Sequence, residues 1–331
     1  MMQKIVRPLL DWYKLNARPL PWRENITPYK VWVSEIMLQQ TRIEAARGYY
    51  ARFMAAFPTV QALADADIEQ VLKLWEGLGY YSRARNLHRC AQKICEEYGG
   101  VFPDSAAALR SLPGIGDYTA GAVASLAFGK PEPAVDGNVL RVYARLNRCG
   151  DNMGDAGVKK RVREELRALY PAGECAAFTS AWMELGEVVC TPGAPDCAVC
   201  PLSAFCKAHK AGEETDYPCL PPKRPRRIEH RRVLLLLCGD KCAVRKRPES
   251  GLLAGLWELP NDEDEAVPEG AEFCGEAVHI FSHVEWHMRG YILRVDEELP
   301  GYVWVNRAER LARAIPTAFR FYGKVLDRLG Y

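Results

Sequence analysis

The chain has 331 residues, with 44 Lys and Arg against 42 Asp and Glu, and 48% of its residues are hydrophobic. That length allows two or three domains, each with its own core. The near-neutral balance excludes a chain that is basic throughout, so any nucleic-acid surface must come from local clusters. No stretch reaches the roughly 18 consecutive apolar residues of a membrane span. The opening MMQKIVRPLLDWYKL carries charges through its apolar run and has no small-residue cleavage site. It does not read as a signal peptide, and a soluble cytosolic protein is expected.

Ile5 to Leu15 has helical spacing, with Ile5, Leu9, Trp12 and Tyr13 on one face. Arg18 to Arg23, with prolines at 19 and 21, breaks it. Thr27-Pro28 is a helix start, an N-cap followed by proline at the first position, and the helix is expected to run on through Thr41. Glu35 lies within it, among Val31, Trp32, Val33, Ile36, Met37 and Leu38. The helix is apolar nearly all round and should be buried, which would raise the pKa of Glu35 and suit a general acid. The alternative is a partly exposed glutamate paired with Arg42 or Arg47. Gln39-Gln40-Thr41 would end the helix in side chains able to contact bases, or simply in a polar terminus.

A helix is then expected from Val60 to Leu74 with its leucines inward, followed by WEGLGYYSRARNL. The glycines make a bend, and Tyr80 stands beside Arg83 and Arg85, where an aromatic could wedge between bases or merely pack at a rim. Next comes SLPGIGDYTAGA. Gly114 and Gly116, two apart between helical patterns, allow a tight turn whose free amides could meet a phosphate; the plain reading is an αα-hairpin. Asp136-Gly137-Asn138 precedes another helix. Asp136 is its N-cap by position, and a carboxylate near the positive helix end is expected to stay ionised. With Glu35 protonated and Asp136 charged, two carboxyl groups of separated pKa would be available, as glycoside chemistry requires.

Helices are expected from Gly157 to Tyr170 and from Cys175 to Val189. Of twelve cysteines, eight are scattered, and four fall in the pattern Cys190-x6-Cys197-x2-Cys200-x5-Cys206. Structural zinc sites usually take CxxC pairs, and only one is present here. The proline-rich, basic Tyr217 to Arg227 reads as an extended linker. Beyond it the period changes. Arg231 to Cys238 and Lys241 to Arg247 are strands joined at Gly239-Asp240, strands or loops follow over 279–287 and 291–295, and helices over 307–314 and 316–329.

The order VSEIMLQQT, GLGYYSRARNL, LPGIGDYTAGA, VDGN, the four-cysteine loop, GLLAGLWELP and FSH resembles the MutY-type adenine DNA glycosylases of the helix-hairpin-helix, endonuclease III superfamily. The resemblance implies a mainly α glycosylase fold with a [4Fe–4S] loop, plus a C-terminal α+β Nudix-like domain. It implies a helical domain over 1–215 (a six-helix module near 25–135, and an iron–sulfur module from the N-terminus plus 136–215), a linker over 216–229, and a Nudix-like 8-oxoguanine-reading domain over 230–331. A Nudix hydrolase would need G-x5-E-x7-R-E-x2-E-E, and the only stretch that could begin it, Leu256 to Glu265, lacks the later carboxylates.

The same resemblance assigns residues. Glu35, Asp136, Tyr118 and Asn138 would be catalytic. Gln40, Tyr80, Gly114, Gly116, Ser282 and His283 would contact DNA, and Cys190, Cys197, Cys200 and Cys206 would hold the cluster. The implied reaction is removal of adenine opposite 8-oxoguanine or guanine from double-stranded DNA by a monomeric, monofunctional enzyme, nucleoid-associated if bacterial. Tyr118 replaces the lysine of the strand-cutting relatives. A pyrimidine-damage glycosylase/lyase and a non-catalytic iron–sulfur DNA-binding protein are the competing readings.

Overall fold

The computed structural model describes all residues except Met1, Lys223, Arg224, Asp264 and Glu265, so those parts of the linker and of the Leu256–Glu265 stretch lie outside the described residues. The chain divides into two compact units, Met1–Asp65 with Arg89–Pro222, and Ala66–His88 with Lys223–Tyr331.

The first unit is helical. It contains α1 (Val6–Asn16), α2 (Pro28–Leu38), α3 (Ile43–Ala56) and α4 (Val60–Ala64). Where one helix was expected over 60–74 there are two, because Asp67 caps a fresh start at α5 (Ile68–Trp75), which belongs to the second unit. The bend at Gly77 and Gly79 leads to α6 (Ser82–Tyr98), followed by α7 (Ala106–Arg110), α8 (Asp117–Leu126) and α9 (Gly137–Asn147). Last come α10 (Ala156–Arg167), α11 (Cys175–Val188) and the short α12 (Lys207–Ala211).

Thr27 caps α2 by accepting the Lys30 amide at 3.2 Å. The helix stops at Leu38 rather than Thr41, and Gln40 turns to a left-handed φ of 59°. The apolar stripes of α1, α9, α10 and α11 form one core around Leu9, Val142, Leu166, Phe178 and Trp182, and Cys190, Cys200 and Cys206 pack on its edge.

The second unit is built on a sheet of order β3-β2-β1-β6-β5, in which β4 pairs with β1 and β7 with β2. Its strands are β1 (Arg227–Cys238), β2 (Lys241–Lys246), β3 (Trp257–Glu258), β4 (Asn261–Asp262), β5 (Glu272–Ile280), β6 (Val284–Arg294) and β7 (Val303–Val305). The expected hairpin is present, with Cys238 opposite Lys241. β1 starts four residues before the expected Arg231, and it pairs in parallel with β6 from Arg227–Val284 to Leu237–Arg294. One sheet face carries the core of Val233, Leu235, Trp286 and Met288, which is covered by Phe319, Tyr322 and Leu326. Those three come from the segment joining α13 (Arg307–Ala312) to α14 (Arg320–Leu329) and from α14 itself.

Candidate active site

Glu35 sits on the inner face of α2, whose residues Val31 to Met37 are all buried. Its carboxyl group is 6% exposed and accepts the hydroxyl of Tyr118 at 2.5 Å. Arg47, weighed above as an ion-pair partner, turns instead to the Pro19 carbonyl and toward Glu44. Burial raises the Glu35 pKa to about 7. The Tyr118 hydrogen bond opposes this and the nearby charge of Asp136 adds to it. Burial, with Glu35 and Asp136 alongside, also drives the Tyr118 phenol well above its ordinary value.

Asp136 caps α9, as its position predicted. One oxygen accepts the Val139 amide at 2.8 Å and the other the Asn138 side chain at 3.0 Å. The helix end was expected to favour the ionised form, yet the Asp136 pKa lies above its ordinary value. Protein packed around the carboxyl group raises it, and the bonds from Val139 and Asn138 only moderate the rise. Desolvation outweighs the cap.

Glu35, Tyr118, Asp136, Asn138 and Gln40 line one cavity of about 450 Å³ in the first unit. Trp22, Arg23, Ser34 and Glu184 complete much of its wall. Glu184 is 1% exposed and carries two guanidiniums, Arg18 Nε at 2.5 Å and Arg23 Nη2 at 2.7 Å. Burial would raise its pKa, but those two hydrogen bonds outweigh it and hold the group ionised below the ordinary value. This carboxylate and its arginines anchor the Arg18–Arg23 turn against α11. Glu184 was not among the residues singled out from the sequence, although an acid in the largely apolar run AAFTSAWMEL was a visible signal.

Arg141, also unforeseen, ties the start of α9 to the cysteine loop. Its guanidinium donates to the Asn138 Oδ1 at 2.8 Å, the Gly186 carbonyl at 2.7 Å and the Cys190 carbonyl at 2.8 Å. Gly186 makes this approach possible, because a Cβ there would stand 2.6 Å from the Asn138 Cβ.

The cysteine loop is lined with donors that face its sulfurs. Arg145, 2% exposed, donates to the Cys190 sulfur at 3.3 Å and to the Thr191, Pro192 and Tyr217 carbonyls. Backbone amides of Leu202 and Ser203 serve Cys200, and those of Ala208 and His209 serve Cys206. A cation and four amides aimed at sulfur fit thiolate ligands.

The remaining predicted residues lie elsewhere. Gly114, at φ 73°, turns the chain between α7 and α8, and Gly114 and Gly116 are solvent-exposed. In the second unit, Tyr80 is 46% exposed at a left-handed φ of 48°, and its hydroxyl meets the Ser282 hydroxyl at 2.8 Å. Both line a separate cavity of about 530 Å³ with Phe281 and His283. Phe281-Ser282-His283 forms the tip between β5 and β6, closed by the Phe281 amide on the Val284 carbonyl at 2.8 Å. No magnesium-binding helix forms over Leu256–Glu263. Glu258 there is buried and held by Arg245, Arg247 and Asn261.

A helical unit with a glycine hairpin, and a pocket holding a buried acid beside a capped aspartate, define the class of helix-hairpin-helix base excision DNA repair proteins. The profile of the HhH-GPD superfamily of base excision DNA repair proteins matches residues 33–171, and that of the NUDIX domain matches residues 232–323. The adenine DNA glycosylase of Rattus norvegicus is 34% identical over 97% of this chain and 77% of its own length. That of Buchnera aphidicola subsp. Acyrthosiphon pisum is 39% identical over 87% and 85%. Among solved structures, a thermostable thymine-DNA glycosylase superposes at TM-score 0.57, with 28% identity over 63% of this chain and 97% of that one. An endonuclease III in a non-covalent DNA complex superposes at 0.54, with 25% identity over 64% and 98%. Within the superfamily, the chain belongs to the adenine DNA glycosylase family.

Proposed function

We infer that this protein removes adenine mispaired with 8-oxoguanine or guanine in double-stranded DNA, as a monofunctional glycosylase acting in the cytoplasm. The observation that carries the reading is the shared pocket of Glu35, Tyr118 and Asp136. Adenine must leave the stack to enter it. Glu35, with a pKa of about 7, donates a proton to the leaving base, at N7. As the N-glycosidic bond breaks, positive charge develops on the deoxyribose and the ionised Asp136 stabilises it; water then adds at C1′, giving its proton back to Glu35 and leaving the abasic sugar. Asn138 orients Asp136 through its side-chain bond. Tyr118 occupies the place of the Schiff-base lysine of the lyases. A phenol forms no imine, so strand cutting is not expected.

Tyr80, Ser282, His283, Gln40, Gly114 and Gly116 make the DNA contacts in this reading. Ser282 hydrogen-bonds the 8-oxoguanine, and the hairpin amides receive backbone phosphate. The domains run 1–215 and 230–331, with the linker between. Cys190, Cys197, Cys200 and Cys206 would hold a [4Fe–4S] cluster, which when bound clamps the loop that follows α11.

The test is base release from duplexes carrying A opposite 8-oxoguanine, A opposite guanine and A opposite thymine, assayed as alkali-labile abasic product. The first two should be cleaved and the third spared. No release from either mispair would overturn the reading.

A further inference from the structure

Helix α8 opens on an acid. Asp117 is its first residue, and its N-cap, Gly116, supplies no side-chain cap. The Asp117 carboxylate meets Arg163 Nη2 at 2.9 Å and Arg110 Nε at 3.7 Å. It is 49% exposed, and the arginines are 19% and 41% exposed, so all three reach solvent. In the free protein this arrangement is favourable: a carboxylate at a positive helix end, with two guanidiniums at its side. It nevertheless sits where the hairpin's amides would receive a phosphate. Two anions at one helix mouth repel, and a carboxylate that hydrogen-bonds Arg163 and ion-pairs with Arg110 competes with a phosphate for both guanidiniums.

We propose that Asp117 is an internal competitor at the hairpin. It occupies Arg110 and Arg163 until a backbone phosphodiester displaces it, and so keeps the grip on undamaged duplex weak. This rests on the reading that the hairpin grips DNA. The ligand is the DNA backbone irrespective of sequence, so the effect belongs to search and release and not to bond cleavage.

The experiment measures equilibrium binding of the full-length protein to a labelled undamaged duplex across a salt series. D117N should bind about fivefold tighter, with a salt slope steeper by about one counter-ion. D117E, which keeps the charge, should follow the parent. Unchanged binding by D117N would overturn the proposal, and so would weaker binding, which would mean that Asp117 only orients the arginines. G116A tests the hairpin reading itself. Gly116 has φ −89° and nothing within 4 Å of where a Cβ would stand, so the variant should fold, while its methyl intrudes on an approaching phosphate. If G116A binds DNA like the parent, the hairpin reading fails and the proposal with it. If G116A weakens binding while D117N changes nothing, the competitor alone fails.

Discussion

At the scale of single residues, the proposed chemistry depends on how far burial moves two carboxyl groups. Glu35 was legible as a buried acid because Val31, Trp32, Val33, Ile36, Met37 and Leu38 around it on the helix are all apolar. The state of Asp136 was not. Its cap geometry could be read from Asp-Gly-Asn, but the side chains that exclude water from it come from distant elements, and in the structure desolvation outweighs the helix end. The glutamate titrates near pH 7, so the rate of base release in single-turnover assays should fall as pH rises from 7 to 9, when the donor proton is lost. The same shift acts on stability. A carboxyl group whose pKa rises from 4.5 to about 7 on folding favours the folded state below pH 4.5, and that advantage is lost as pH climbs to 7. Replacing it with an uncharged isostere removes the penalty. Glu35→Gln should therefore abolish base release while raising unfolding free energy at pH 8 by up to about 3 kcal/mol, with little change at pH 4. Urea titrations at the two pH values check this, and equal effects at both would contradict it.

At the scale of elements, most helices were legible because their signals are local. Thr27-Pro28 starts α2, and the glycines after Leu112 turn α7 into α8. The errors are also local. The Asp65-Ala66-Asp67 step breaks a continuous apolar pattern, and α2 ends three residues early where Gln40 reverses the chain. What could not be read was which helices touch. The α9–α11 contact depends on Gly186 lying against Asn138, and one methyl group there has no room. Gly186→Ala should cost about 1–3 kcal/mol of stability as the helices part. It should also slow base release more than it weakens DNA binding, since Asn138 would no longer hold Asp136. A thermal melt with single-turnover and binding assays measures all three; a variant that melts lower but cleaves at the parental rate would disconnect the contact from the site.

At the scale of the whole molecule, the C-terminal unit was legible as α+β from its change of period and its Gly-Asp hairpin. Its central pairing was not, because β1 and β6 run parallel and are joined only through the strands between them. Nor could sequence show that Ala66–His88, which holds Tyr80, is counted with that unit. Glu69 binds Lys246 and Trp257 there, and Arg85 donates to the Ala254 carbonyl. With Tyr80 touching Ser282, the proposed function puts lesion reading and bond cleavage on residues of different units, and the two should then separate in mutants. Ser282→Ala should reduce the preference for A opposite 8-oxoguanine over A opposite guanine several-fold, leaving the guanine mispair processed at the parental rate. Competition between the two duplexes in one tube measures it, and an equal fall for both would assign Ser282 a structural role.

The parallel pairing bears on how the chain is made. The oily run from Val233 to Leu237 leaves the ribosome with β1, long before β6 at Val284 exists to cover its edge. For those seconds it is a sticky segment in search of a neighbour, and neighbouring polysomes offer plenty. Arg231, Arg232 and Lys241 bracket it, and charges at such margins discourage nascent chains from zipping together. Their worth would thus be counted in soluble yield from the cell as much as in the melting of the finished protein.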